Sequence, residues 1–167
     1  MKKTIAMLCA AVMMVSLFAL PTYAASTTRN LTADLDSSYG DTWFADVMYD
    51  GEIVGYGNSF YKKPWLFGDK KVSTEYQNYG LGRDLGSNLG IDIKVYSYIK
   101  VGSSIVDSET YAWSDNSWNG GNSLGWIQAD ASTSRSNDVS EVGGYVRITN
   151  TSTYSSDTYN YKVTHNG

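Results

Sequence analysis

The feature that most constrains this chain is the period of two with which apolar residues recur after the first two dozen residues. Within 28–36, for example, Leu31, Ala33 and Leu35 alternate with polar residues, which places all three on one face of a strand. No window of eleven or more residues carries the i, i+3, i+4, i+7 stripe of an amphipathic helix. The pattern therefore predicts that strands are the regular elements of the domain.

The strongest local signal is the dipeptide Asp50-Gly51, which stands between two alternating apolar runs. The central residues of a two-residue type I′ turn both need positive φ, and Asp-Gly is a preferred pair for this turn. The sequence therefore predicts a hairpin that pairs Tyr49 with Glu52 and, two residues further along, Val47 with Val54.

Eight or nine short strands, separated by Gly, Ser and Asn clusters, account for most of the chain after residue 24. This number and spacing predict an all-β fold, a single antiparallel β-sandwich or jelly-roll domain over residues 25–167. The segment 80–90, where each of three leucines is followed by glycine, is expected to be a loop. The residues expected to face the core are Leu31, Leu35, Val47, Val54, Ile93, Val95, Ile99, Ile127, Val146, Ile148 and Val163.

Residues 1–24 have the organisation of a secretory signal peptide. Lys2 and Lys3 precede an apolar run of 16 residues that ends at Leu20, and Thr22 and Ala24 place small residues at −3 and −1 of a cleavage site. The run is shorter than the roughly 20 residues of a membrane-spanning helix. We therefore expect a cleaved leader and a secreted protein, extracellular or associated with the cell surface, with no transmembrane helix in the mature chain.

Removing residues 1–24 leaves eleven basic and 17 acidic residues, a net charge of −6. This balance argues against a nucleic-acid partner. The only cysteine, Cys9, lies in the removed segment, so the mature chain has neither a disulfide nor a cysteine-based metal site.

The residues available for catalysis are few, so no catalytic residue is predicted. His165 is the only histidine and is expected to be exposed near the C-terminus, which leaves a serine or cysteine nucleophile without a base. The four residues 74–77, Thr-Glu-Tyr-Gln, resemble an acid-bearing strand of the jelly-roll xylanases, which implies an acid role for Glu75. No second glutamate stands in a matching motif, so a glycosidase is the least favoured function.

Segment 34–41 is a candidate for structural calcium, the only cofactor considered. Alternate Asp and Ser oxygens precede Gly40, and such spacing can wrap a hard cation. The twelfth position is Ala45 rather than glutamate, which excludes an EF-hand loop. A turn stabilised by Asx and Ser side chains is the alternative interpretation.

The candidate binding segment is 111–126, where three tryptophans stand among amides, a carboxylate and glycines. Aromatic rings offer apolar faces to sugar rings, while amide and carboxylate groups bind sugar hydroxyls. The alternative is that Trp113 and Trp126 belong to the core. The residues predicted to bind ligand are Trp113, Asp115, Asn116, Trp118 and Asn119, together with Tyr96, Tyr98 and Tyr111 from the preceding hairpin.

That hairpin is expected to pair Val101 with Val106 across a four-residue loop, so that Tyr96 faces Tyr111. A shift by one residue would set an acidic residue opposite a core isoleucine, which is unfavourable where one face is buried. The expected register therefore gathers the aromatic residues of both strands on one outward face.

Together these observations predict a secreted, non-catalytic binding module for a glycan or another extracellular polymer. One alternative is an exported antagonistic protein, bacteriocin-like or a β-type pore former, suggested by the polar alternating hairpin 142–165. The acidic net charge opposes it, because such proteins use basic faces to reach anionic membranes. The other alternative is a surface or matrix structural protein that assembles through tyrosine-rich edges.

Overall fold

The computed structural model describes residues 26–36, 42–49, 52–64, 66–78, 89–118 and 126–166. These residues form nine strands and no helix, and so none with the length and hydropathy of a membrane span. The strands are β1 Ser26–Ala33, β2 Thr42–Tyr49, β3 Glu52–Lys62, β4 Lys70–Asn78, β5 Leu89–Val101, β6 Ser104–Trp118, β7 Trp126–Thr133, β8 Val139–Asn150 and β9 Ser156–His165. The predicted signal peptide and most of the predicted loop 80–90 lie outside the described residues.

The strands form two sheets. Sheet A has the order β1-β9-β8-β5-β6 and sheet B the order β2-β3-β4-β7. All neighbours are antiparallel except β1, which runs parallel to β9. The all-β prediction is confirmed, and the two sheets are consistent with a β-sandwich.

Alternation along the strands sends one set of side chains into the core. Nine of the eleven predicted core residues are buried, Leu31 is half-buried, and the side chain of Val54 lies outside the described part. Four tyrosines are also buried in this core: Tyr159 and Tyr161, which alternate with Val163 along β9, and Tyr61 and Tyr76, which the sequence did not single out.

A cluster of buried hydroxyls lies in this core, between the two sheets. Ser59 donates a hydrogen bond to Thr74 over 3.1 Å, and the hydroxyls of Thr74 and Ser97 are hydrogen-bonded at 2.8 Å. Tyr161 packs beside them, and burial raises the pKa of its phenol. A Cβ on Gly144 would overlap the side-chain oxygen of Thr74 and a backbone carbonyl oxygen of β5, so only glycine fits there.

Strands β2 and β3 pair antiparallel, and Tyr49 lies opposite Glu52 as predicted. Beyond that pair a β-bulge shifts the register, so Val47 lies opposite Gly55 rather than Val54. The predicted pairing of Val47 is therefore wrong by one residue.

The β5–β6 hairpin also differs from its predicted register by one residue. Gly102, at φ 59°, begins a two-residue turn that pairs Val101 with Ser104, and a bulge then sets Ile99 opposite Asp107. The glycine makes this shorter turn available, because it adopts a positive φ without strain.

The acidic residues on the inner side of β6 find partners because β6 is an edge strand. Glu109 accepts a hydrogen bond from the backbone N–H of Asp130 over 2.6 Å, and Asp107 accepts one from the N–H of Ser132 over 2.7 Å. These N–H groups belong to β7, the adjacent edge of sheet B. An acidic residue opposite a core isoleucine is therefore tolerated at this edge, because its carboxylate has a hydrogen-bond donor.

Candidate ligand-binding face

The outer face of sheet A carries the best candidate for a binding site, and we call it the tyrosine face. It is broad and mixed in chemistry, with aromatic rings at its centre and charged side chains at both ends. Its residues are Asp92, Lys94, Tyr96, Tyr98 and Lys100 of β5, Glu141, Gly143, Tyr145 and Arg147 of β8, Asn160 and Lys162 of β9, and Thr28 and Asn30 of β1.

An open hollow of about 230 Å³ lies in this face. Tyr98 lines the hollow, and a Cβ on Gly143 of β8 would lie 2.5 Å from the Tyr98 hydroxyl oxygen and 2.6 Å from its Cζ. The missing side chain lets the Tyr98 ring lie across β8. Amide groups of Asn30 and Asn160 and the ammonium-bearing chain of Lys162 line the rim.

Three tyrosine rings form a row along the hollow. The centroid of Tyr96 is 5.8 Å from that of Tyr98 and 5.2 Å from that of Tyr145, with the rings tilted by 30° and 33°. All three are half-buried, so each keeps part of its surface open to solvent. Tyr145 was missed in the sequence, although its position between the core residues Gly144 and Val146 points it outward by alternation.

One end of the row is held by an acidic group. Glu141 accepts hydrogen bonds from the Tyr98 hydroxyl over 2.8 Å and from Lys100 over 2.7 Å. Burial alone would raise the pKa of Glu141, but these donors outweigh it and hold that pKa below its usual value. Burial raises the pKa of Tyr98, and the Glu141 carboxylate raises it further, so the hydroxyl stays protonated and donates to Glu141.

The other end of the row carries two cations directly opposite each other. Lys94 of β5 pairs in register with Arg147 of β8. The guanidinium carbon of Arg147 lies 5.0 Å from the centroid of the Tyr145 ring, and its buried Nε has no hydrogen-bond partner among the described residues. Lys94 is exposed. Among the described residues, none forms a hydrogen bond or ion pair with its ammonium group.

The structure divides the residues predicted to bind ligand. Tyr96 and Tyr98 lie on the tyrosine face, whereas the half-exposed Tyr111 and half-buried Trp113 point to the opposite side of sheet A. The expectation that both groups share one surface is wrong. The register shift at the bulge in β6 sets Tyr111 opposite Val95 rather than Tyr96, which turns its side chain to the other side of the sheet. Asp115, Asn116 and Trp118 belong to the end of β6 with side chains outside the description, and Asn119 lies wholly outside it. Their part in binding stays a prediction.

The predicted calcium segment is only partly described, since residues 37–41 lie outside the structure's description. Carboxylate oxygens of Asp34 and Asp36 come within 4.8 Å of each other and of a nitrogen of His165. Asp36 already binds the ammonium groups of Lys70 at 3.0 Å and Lys63 at 3.2 Å, and these bonds lower its pKa. Its negative charge is thus balanced by side chains, which does not favour a calcium ion.

His165 has a structural partner. Its Nδ1 accepts a hydrogen bond from the backbone N–H of Leu35 over 3.0 Å, and its side chain is half-buried. The expected exposed position near the C-terminus is therefore wrong, because this bond ties the end of β9 to the chain that follows β1.

Glu75, which carried the resemblance to xylanases, lies on the outer face of sheet B. One of its oxygens accepts a hydrogen bond from Asn58 over 2.7 Å and the other accepts one from the Trp126 indole over 2.6 Å. Both oxygens are therefore engaged in contacts within the sheet.

No protein-family model matches the chain, and its sequence matches no curated protein. Fold and face together define a two-sheet β protein with an aromatic hollow on one outer surface.

Proposed function

We propose that this protein is an exported, non-catalytic binding module whose tyrosine face binds a glycan or another extracellular polymer. The observation that carries the proposal is the row of three half-buried tyrosines in an open hollow rimmed by amides. Tyrosine combines an apolar ring with a polar hydroxyl, which suits a ligand that is apolar on one face and hydroxylated around its edge.

The form of the hollow supports a polymer rather than a small free ligand. At about 230 Å³ it is smaller than the roughly 300–1,000 Å³ of enclosed small-molecule sites, and it is open to solvent. A polymer lying across β5, β8 and β9 would place one or two units over the rings while the rest of the chain stays outside.

A purely binding role is supported by the state of the groups that a hydrolase would use. His165 is hydrogen-bonded to a backbone N–H, and both oxygens of Glu75 are engaged on the other sheet. Export is supported by the organisation of residues 1–24, and the same residues support a location outside the cell or at its surface.

The test is a screen of the exported protein on a panel of immobilised polysaccharides, followed by single substitutions. Tyr96→Ala and Tyr145→Ala should each weaken binding about tenfold, the scale of an interface hot spot, without loss of folding. Phe67→Ala is the matched control, because this ring is 88% exposed and lies outside the tyrosine face. Equal binding by all three variants would contradict the proposal.

A second pair of substitutions tests the predicted residues of β6. Trp118→Ala and Tyr111→Ala should leave binding unchanged if the tyrosine face alone holds the ligand. Loss of binding in these variants, with Tyr96→Ala unaffected, would place the site on β6 rather than on the tyrosine face and overturn the choice of face.

A further inference from the structure

The charge of the tyrosine face differs in sign from that of the chain. The whole sequence has 13 basic and 17 acidic residues. The face has four basic side chains, Lys94, Lys100, Arg147 and Lys162, against two acidic ones, Asp92 and Glu141. Glu141 is already neutralised by Lys100. The face is therefore a basic surface on an acidic protein.

The pairing of Lys94 with Arg147 is unfavourable for folding, since like charges directly opposite in a sheet destabilise it. The Tyr145 ring holds the guanidinium in position but satisfies none of its N–H groups. Such donors, fixed by an aromatic ring and close to a second cation, suit an anionic group with two oxygens that accept hydrogen bonds from a guanidinium at once.

Lys162 adds a third cation across the hollow from this pair. It lies opposite Gly143 in the register of β8 and β9 and borders the hollow with Asn160. The described residues provide no ion pair for its ammonium group. Cations thus stand on two sides of the tyrosine row.

We infer that the ligand is an anionic polysaccharide, one whose sugar units carry carboxylate, sulfate or phosphate groups. The inference rests on the proposed function and adds the charge of the ligand to it. Sugar rings lie over Tyr96 and Tyr145, and their anionic groups are bound by Arg147 with Lys94 at one side and by Lys162 at the other.

The experiment compares four probes at low and high salt: alginate, heparin, the neutral polymer dextran and single-stranded DNA. Binding to alginate or heparin that exceeds binding to dextran and to DNA about tenfold or more, and weakens as salt screens the charges, is the expected result. A preference for alginate identifies a carboxylate ligand, and a preference for heparin a sulfated one.

Two double variants carry the same change of charge on different faces. K94Q/R147Q should lose about tenfold in affinity for the preferred acidic polymer, and its binding should depend less on salt. K62Q/K71Q removes two cations from the outer side of sheet B and should bind as the unchanged protein does. Equal loss in both variants would show attraction by net charge only and overturn the inference.

The remaining outcomes separate the inference from the function beneath it. Dextran bound as tightly as alginate and heparin, with loss on Tyr96→Ala, would overturn the anionic ligand and leave the glycan-binding function standing. DNA bound as tightly as the acidic polysaccharides would overturn the inference in favour of a general polyanion surface. Absence of binding to any polysaccharide would overturn both.

Discussion

The outer faces of the two sheets contain the same kinds of side chain in different states. On sheet B the polar groups bind one another: Glu75 links Asn58 to Trp126, and Asp130 binds both Ser73 and Lys71. On the tyrosine face Glu141 binds Tyr98 and Lys100, and Asn160 donates to Ser26. Lys94 and Arg147 stand opposite each other with no acidic partner among the described residues.

The difference separates side chains that stabilise the fold from side chains that remain available to a ligand. A surface whose donors and acceptors are paired gains little by binding something else, because each new bond replaces an existing one. A surface whose cations have no acidic partners loses some stability, but those cations remain available to a ligand. Aromatic content alone would not have distinguished the two faces.

The largest effect is expected from two adjacent glycines of β8 that face opposite sides of sheet A. Gly144→Ala should lower the free energy of unfolding by about 3 kcal/mol, because the new Cβ meets backbone of β5, which cannot move away. Gly143→Ala should cost about 1 kcal/mol, since the new Cβ meets only the Tyr98 side chain, yet it should weaken binding by displacing that ring from the hollow that it lines. Urea unfolding and a binding assay measure both, and a reversed order would show that the two faces are misassigned.

On sheet B the effect should fall on stability alone. Glu75→Ala leaves the Asn58 amide and the Trp126 indole without their acceptor and should cost about 1–2 kcal/mol. Glu75→Gln, which retains one acceptor oxygen, should cost less. Ligand binding should not change in either variant, and a binding defect here would erase the distinction between the faces.

Acid should lower the free energy of unfolding through groups on both faces, by a smaller amount. The pKa values of Glu141 and Asp130 lie below their usual range, because Lys100 and Lys71 outweigh the effect of burial. A lowered pKa stabilises the fold above the usual value, and that contribution is lost as the pH falls through about 4. Each group is partly exposed, so the loss should stay below about 1 kcal/mol. Thermal unfolding from pH 7 to pH 3 should show a smaller decrease for Glu141→Gln and for Asp130→Asn than for the unchanged protein.

The smallest expected effect is a gain in stability. Lys94→Gln removes one of two like charges opposite each other and should raise stability by about 0.2–1 kcal/mol while weakening binding. Lys62→Gln is the matched control, because Lys62 lies opposite Lys71 on sheet B; it should raise stability by a similar or smaller amount and leave binding unchanged. A fall in stability for Lys94→Gln would show that the cation contributes to the fold rather than to the site.

Alternation in the sequence was sufficient for the strands and for the buried faces of β5, β7 and β8, because a period of two depends on local chain geometry alone. It was insufficient for register, which each bulge changes by one residue. Ile99 lies opposite Asp107 only because β7 supplies N–H donors to the carboxylates of β6, a contact between residues distant in sequence. The same shift separated Tyr96 from Tyr111, whereas Tyr145 was open to prediction from its neighbours.

The carboxylates of Asp107 and Glu109 have a consequence for a protein expected to accumulate outside the cell. An unpaired strand edge invites the edge of another molecule, and crowding at a surface makes such encounters frequent. Here these two side chains bind the edge of β7, where a strand of a second copy would otherwise extend sheet B. Under the proposed function, molecules concentrated on a polymer would keep this edge closed to the growth of intermolecular sheets.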